Sequence, residues 1–263
     1  MSASGISTEL RAALTDFCAL DRVVVASDYD GCVAPIQPRP DMAVPNPASL
    51  AALEACGACD RTLAAMVSGR ARADLAAISG AGEGLTLIGS HGAEFESGFD
   101  EPLTRDQQAL LERIIADFRV IAAQFPGTSV ETKPASTTLH VRNASPDDAA
   151  AAMVLAETGP AGWHGVHVTK GKAVIELAVI ETSKGLALDR LRRTFDADAV
   201  LYLGDDVTDE KAFAHLHRRD GVGGHAGKDV GIKVGDGETI AEFRIPGTDQ
   251  VATALEFVAA RRR

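Results

Sequence analysis

Asp28-Tyr29-Asp30-Gly31 stands directly after the apolar run Val23-Val24-Val25-Ala26. In extended backbone, residues i and i+2 point to the same side, so both carboxylates can address one small volume. One carboxylate there can attack phosphorus to give an aspartyl-phosphate. A second can protonate the leaving oxygen and then activate water. Asp28 and Asp30 suit those two tasks, although the same tetrapeptide alone would also make a turn, since Asp and Gly favour turns for backbone reasons. Two close anions repel each other and an anionic substrate unless a cation lies among them. Gly204-Asp205-Asp206-Val207-Thr208-Asp209-Glu210 offers the carboxylate and carbonyl oxygens that Mg²⁺ takes.

Three further groups supply what a transferring phosphoryl group lacks. The Ser68 hydroxyl with the Gly69 and Arg70 amides, ahead of a predicted helix, makes an anion cradle, or simply a helix cap. Lys184, at another predicted helix start, offers a point charge to a phosphate and to Asp28. His91, in Ser90-His91-Gly92, either satisfies a hydrogen bond beside the site or touches substrate.

The elements that must position these groups alternate. Strand-like runs at Val23–Ser27, Thr62–Val67, Leu85–Gly89, Ala199–Leu203 and Val230–Val234 are separated by helical stretches near Pro47–Cys56, Ala71–Ser79, Ser183–Arg193 and Asp209–His217. That order predicts an α/β fold, a Rossmann-like parallel sheet flanked by helices, with ligands bound beyond the carboxyl ends of the strands. Asp28, Ser68, Ser90 and Asp205 all follow such runs. From 101 to 181 the pattern changes. The amphipathic Leu103–Phe125 leads into Ser129–Lys133 and Thr137–Arg142, then the helical Pro146–Thr158 leads into Gly165–Thr169 and Ala173–Val179. The hairpin-like pairs predict an antiparallel sheet with two helices, an α+β cap inserted at 101–181 between core segments 1–100 and 182–263.

Composition narrows the partners. With 26 basic against 37 acidic residues, the formal charge of −11 argues against a nucleic-acid surface. No apolar segment reaches membrane-spanning length, and the first residues lack the charged and apolar regions of a signal peptide, so the expectation is a cytosolic protein, monomeric, acting on a small molecule. Cys56-Gly57-Ala58-Cys59 has the spacing of half a zinc site but no completing ligands, and is read as packing at a helix end.

Asp28-Tyr29-Asp30-Gly31, Ser68-Gly69-Arg70, Lys184-Gly185 and Gly204-Asp205-Asp206-Val207-Thr208-Asp209-Glu210, in that order, resemble the haloacid-dehalogenase-like phosphatases. The fuller last motif and Ser90-His91-Gly92 are similar to the branch that hydrolyses trehalose 6-phosphate. The resemblance implies Asp28 as nucleophile and Asp30 as acid/base. It implies Mg²⁺ on the Asp28 carboxylate, the Asp30 carbonyl and Asp205, with Asp206 and Asp209 supporting from behind. It also implies that Glu131, Lys133, Arg142 and Glu176 in the cap contact a sugar phosphate. Cys32-Val33 replaces the usual Thr-Leu, Thr132-Lys133-Pro134 replaces Asp-Lys-Gly, and Ala178-Val179 replaces Arg-Pro. Another sugar phosphate, such as sucrose phosphate or a glucosyl- or mannosylglycerate phosphate, and a non-catalytic binding module are the alternative readings.

Overall fold

A computed structural model of the chain describes residues 5–99, 102–171, 173–217 and 229–263. It divides into two compact units, Met1–Gly98 with Ser183–Arg263, and Phe99–Thr182.

The first unit carries strands β1 (Val23–Ser27), β2 (Thr62–Val67) and β3 (Thr86–Ile88), with helices α1 (Thr8–Cys18), α2 (Pro47–Gly57) and α3 (Arg72–Ser79) around them. After the second unit the chain returns as α6 (Lys184–Phe195), β8 (Ala199–Gly204), α7 (Val207–His217), β9 (Val230–Val234), β10 (Phe243–Ile245) and α8 (Thr248–Arg262). The six strands pair in the order β10-β9-β8-β1-β2-β3, every pair parallel. All five β1 residues are buried, and their side chains alternate between two cores. Val23 and Val25 pack with Leu14, Phe17, Leu53 and Leu255. Val24 and Ala26 pack with Leu188, Leu191 and Phe213. Helices on both faces explain why this strand reads as uninterrupted apolar sequence. From β1 the chain builds outward first through β2 and β3, then through β8, β9 and β10. The order therefore reverses between β1 and β8, where open α/β sheets leave a crevice for ligands.

The second unit holds α4 (Arg105–Gln124), β4 (Ser129–Thr132), β5 (Ser136–His140), α5 (Pro146–Thr158), β6 (His167–Gly171) and β7 (Val174–Ala178). Its four strands pair antiparallel in the order β4-β5-β7-β6. Leu139, Ile175 and Leu177 pack on Leu111, Ile114, Phe118 and Ile121 of α4 and on Ala152 and Ala156 of α5. The alternate strand positions, Glu131, Thr138 and Glu176 among them, therefore occupy the other face.

Three local features differ from the sequence reading. α1 was not read from the sequence, although Ser7 caps it by accepting from the Leu10 amide and Leu10, Leu14 and Phe17 form its buried stripe. β10 is three residues long, too short to show a period. α3 starts at Arg72 with Ala71 at its N-cap, so Ser68 caps no helix; its hydroxyl accepts the Arg70 amide at 3.2 Å in the preceding loop. Cys56 and Cys59 are buried at and just beyond the end of α2. Among the described residues no helix is long and apolar enough to cross a membrane.

Candidate active site

The ends of β1 and β8 bring three carboxylates and a lysine together. The Asp28 amide donates to the Leu203 carbonyl at 2.8 Å, tying the residue after β1 to β8. Lys184, the first residue of α6 and only 2% exposed, places its Nζ 2.7 Å from Asp28 Oδ2 and 2.8 Å from Asp209 Oδ1. Asp209, in the first turn of α7, is fully buried and has both oxygens engaged. Oδ1 takes Lys184 and the Tyr202 hydroxyl at 2.6 Å, while Oδ2 takes the Asp205 and Asp206 amides at 2.9 Å each. The Asp206 carboxylate accepts the Val207 amide at 2.7 Å, bracing the start of α7. Asp28, Asp205 and Asp209 each present an oxygen within 4.8 Å of the others. This closeness requires Gly31, whose φ is +85°, since a Cβ there would lie 2.0 Å from Asp205 Oδ2.

The charges are unbalanced. Burial pushes the Asp28 carboxyl well above the usual carboxylate range; Lys184 opposes this, while Asp209 and Asp205 add to it. Burial, then Asp209, pushes Asp205 up to about 7. For Asp209 burial also acts upward, but Lys184, Tyr202 and the Asp206 amide together hold it below its ordinary value. Lys184 is pushed upward and stays charged, because Asp209 and Asp28 outweigh its burial. The Asp205 side chain accepts no hydrogen bond from any described residue. Oxygen-only donors with surplus negative charge fit a hard divalent cation. Asp28 and Asp205 have oxygens to offer it, whereas Asp209 is already used by four donors.

Asp30 is held differently from expectation. Arg70 Nε and Nη2 lie 2.8 Å from Asp30 Oδ2 and Oδ1, and the same guanidinium reaches Asp74 at 3.0 Å and the Pro40 carbonyl at 2.8 Å. The Arg70 amide is occupied by Ser68, so this residue enters the site through its side chain rather than as the amide donor the sequence suggested. Above Gly69 lies the His91 ring, so near that a Cβ on Gly69 would meet Cε1 at 2.4 Å. His91 and Ser90 both have left-handed backbone, and the His91 amide donates to the Ser68 carbonyl at 2.9 Å. In this position His91 shapes the Ser68 loop. Sequence reasoning missed Tyr202 and Lys233; the signal for Lys233 was one cation inside the otherwise apolar strand Val230–Val234.

In the second unit, strand register aligns Glu131 with Thr138, Thr138 with Glu176, and Glu176 with Thr169. Lys133 Nζ lies 2.7 Å from Glu176 Oε2, and the Ser136 and Thr138 hydroxyls donate to Glu176 at 2.8 and 3.1 Å. His140 Nε2 sits 2.8 Å from Glu131 Oε2. Burial acts upward on Glu131, but the His140 contact and the Lys133 charge bring it below the ordinary value. Arg142 is exposed, two residues beyond the end of β5.

A parallel sheet with paired aspartates at the end of its central strand, interrupted by an antiparallel α+β unit, defines a haloacid-dehalogenase-like phosphatase. Residues 26–249 match the trehalose-phosphatase model, and the chain belongs to the trehalose-phosphatase family. It is 31% identical over 234 residues to the trehalose-6-phosphate phosphatase of Escherichia coli, covering 88% of this chain and 84% of that protein. It is 34% identical over 265 residues to the trehalose-phosphate phosphatase of Mycobacterium tuberculosis H37Rv, covering 95% of this chain and 64% of that longer protein. The C-terminal domain of the C. albicans trehalose-6-phosphate phosphatase shares the fold at a TM-score of 0.80 and 23% identity, over 97% of this chain and 99% of that one.

Proposed function

We propose that the protein hydrolyses trehalose 6-phosphate to trehalose and phosphate through an aspartyl-phosphate on Asp28. The observation that carries this reading is the buried Asp28–Lys184–Asp209 chain beside Asp205, at the strand ends of a trehalose-phosphatase family member. An Asp28 carboxylate oxygen attacks phosphorus, and the bond to the sugar O6 breaks. Asp30 gives its proton to that oxygen, and trehalose leaves. Asp30 then takes a proton from the water that attacks the aspartyl-phosphate, and phosphate departs with Asp28 restored. Lys184 keeps Asp28 in place and adds positive charge opposite the phosphoryl oxygens, and the Ser68 hydroxyl donates to them. Mg²⁺, held by the Asp28 and Asp205 carboxylates and the Asp30 carbonyl, would supply the charge that lets Asp28 stay ionised and the phosphoryl group approach it.

The unit 1–100 with 182–263 acts as the catalytic core, and 101–181 as the substrate-selecting cap, with Glu131, Lys133, Arg142 and Glu176 recognising the sugar phosphate. His91 and Gly69 shape the phosphate side. The protein works as a cytoplasmic monomer. Phosphate release from a panel of sugar phosphates, with and without Mg²⁺, tests the reading. Trehalose 6-phosphate is expected to turn over fastest and only with the metal. Equal or faster turnover of sucrose 6-phosphate or a glucosyl- or mannosylglycerate phosphate would overturn the substrate assignment.

A further inference from the structure

Lys233 is a buried cation that the proposed reaction does not use. It sits in β9, a strand whose five residues are all buried, opposite Gly204 in the ladder with β8. A lysine is almost never fully buried unless its charge is met. Here Nζ donates to the Asp205 carbonyl at 2.6 Å and lies 3.5 Å from Glu210 Oε1. Glu210 is in turn held by the Ile240 amide, which donates to Oε2 at 2.9 Å. Its Oε1 is buried and accepts no hydrogen bond from the described residues, and the Lys233 ammonium 3.5 Å away is the positive charge beside it.

The consequence falls on Asp205. Its amide is fixed by Asp209 Oδ2 at 2.9 Å and its carbonyl by Lys233, so both backbone polar groups of one residue are pinned from different elements. With both pinned, its Cα–Cβ bond has one direction, and the carboxylate is held against Gly31 within reach of Asp28. Asp205 side-chain oxygens have no hydrogen-bond donor of their own among the described residues. The backbone clamp is therefore what aims them.

We infer that Lys233 is a positioning residue, held by Glu210, that locks the Asp205 backbone and so sets the affinity of the carboxylate cluster for a divalent cation. This rests on the proposed metal-dependent reading of the site. Residues that orient metal ligands typically contribute about 10–100-fold to affinity. The apolar variant Lys233→Met removes the clamp at similar length. Glu210→Gln keeps the clamp but weakens what holds it.

Calorimetric titration of MgCl₂ into metal-free protein reads this directly, beside kcat and KM at saturating Mg²⁺. Lys233→Met is expected to weaken Mg²⁺ binding about 10–100-fold, with Glu210→Gln intermediate. Substrate KM at saturating metal is expected to stay near that of the parent, and activity to return as Mg²⁺ is raised. A folded Lys233→Met protein with parental Mg²⁺ affinity would overturn the inference, whatever its melting temperature. If that variant does not fold, parental affinity in Glu210→Gln overturns it instead. Absence of any Mg²⁺ binding by the parent would contradict the metal reading itself, a different failure.

Discussion

At the residue scale the proposed chemistry falls on two aspartates with unlike surroundings. Asp28 is buried and ion-paired to Lys184, whereas Asp30 is partly exposed and gripped at both oxygens by Arg70. That difference suits Asp28 to be a nucleophile held in one place; the acid/base role proposed for Asp30 requires one of its oxygens to leave Arg70 and carry the proton. Asp28→Asn is expected to lower kcat by on the order of 10⁶, as loss of a covalent nucleophile does elsewhere. Asp30→Asn is expected to cost about 10²–10⁴-fold in kcat/KM with trehalose 6-phosphate, and much less with p-nitrophenyl phosphate, whose leaving group needs no proton. Equal losses on both substrates in steady-state assays would show that Asp30 is not the acid. The two aspartates were legible in the sequence because their strand opens on the apolar run Val23-Val24-Val25-Ala26 and their spacing is short. The Arg70 grip was not, since it joins side chains 40 positions apart.

At the element scale, strand ends do the positioning, and single atoms decide whether they can. Gly31→Ala would drive a methyl group onto the Asp205 carboxylate, and the Mg²⁺ concentration for half-maximal activity is expected to rise about 10–100-fold. An unchanged metal dependence would mean that Asp205 has room to move. In the second unit, Lys133 and Glu176 are both nearly buried and paired. Glu176→Ala leaves the lysine charge without that partner, a change that typically costs about 3–5 kcal/mol, and denaturant titration is expected to show Glu176→Gln losing less. The parallel strands and long helices were readable because burial on two faces, or on one stripe, writes itself into apolar periodicity. Three-residue β10 leaves no such trace, and α1 carried its stripe and its Ser7 cap but no motif to draw attention to them. Lys233 stayed hidden for another reason: its meaning comes from a carbonyl supplied by the neighbouring strand's end, which no local pattern reveals.

At the scale of the whole molecule, the surplus of buried negative charge ties stability to pH and to metal. Asp205 is raised from an ordinary 3.8 to about 7, and Asp28 shifts in the same direction. Between those pH values the folded chain binds more protons than the unfolded one, so these two groups lose stability for the fold as pH rises. Asp209, shifted downward, contributes the opposite way and loses its contribution only in acid. In EDTA-treated protein the melting temperature is expected to fall between about pH 4 and pH 7. The stabilisation from added Mg²⁺ is expected to be larger at the higher pH, where cation and proton no longer compete. Equal Mg²⁺ increments at both pH values in scanning calorimetry would contradict the charge assignment. The most direct test of the central claim is an acid-quenched single turnover of trehalose 6-phosphate with excess protein and Mg²⁺, followed by peptide mass analysis. Phosphate covalently attached to the peptide bearing Asp28, and absent from Asp28→Asn, is the predicted result; complete release of phosphate with no protein-bound intermediate at any quench time, together with an active Asp28→Asn protein, would contradict it.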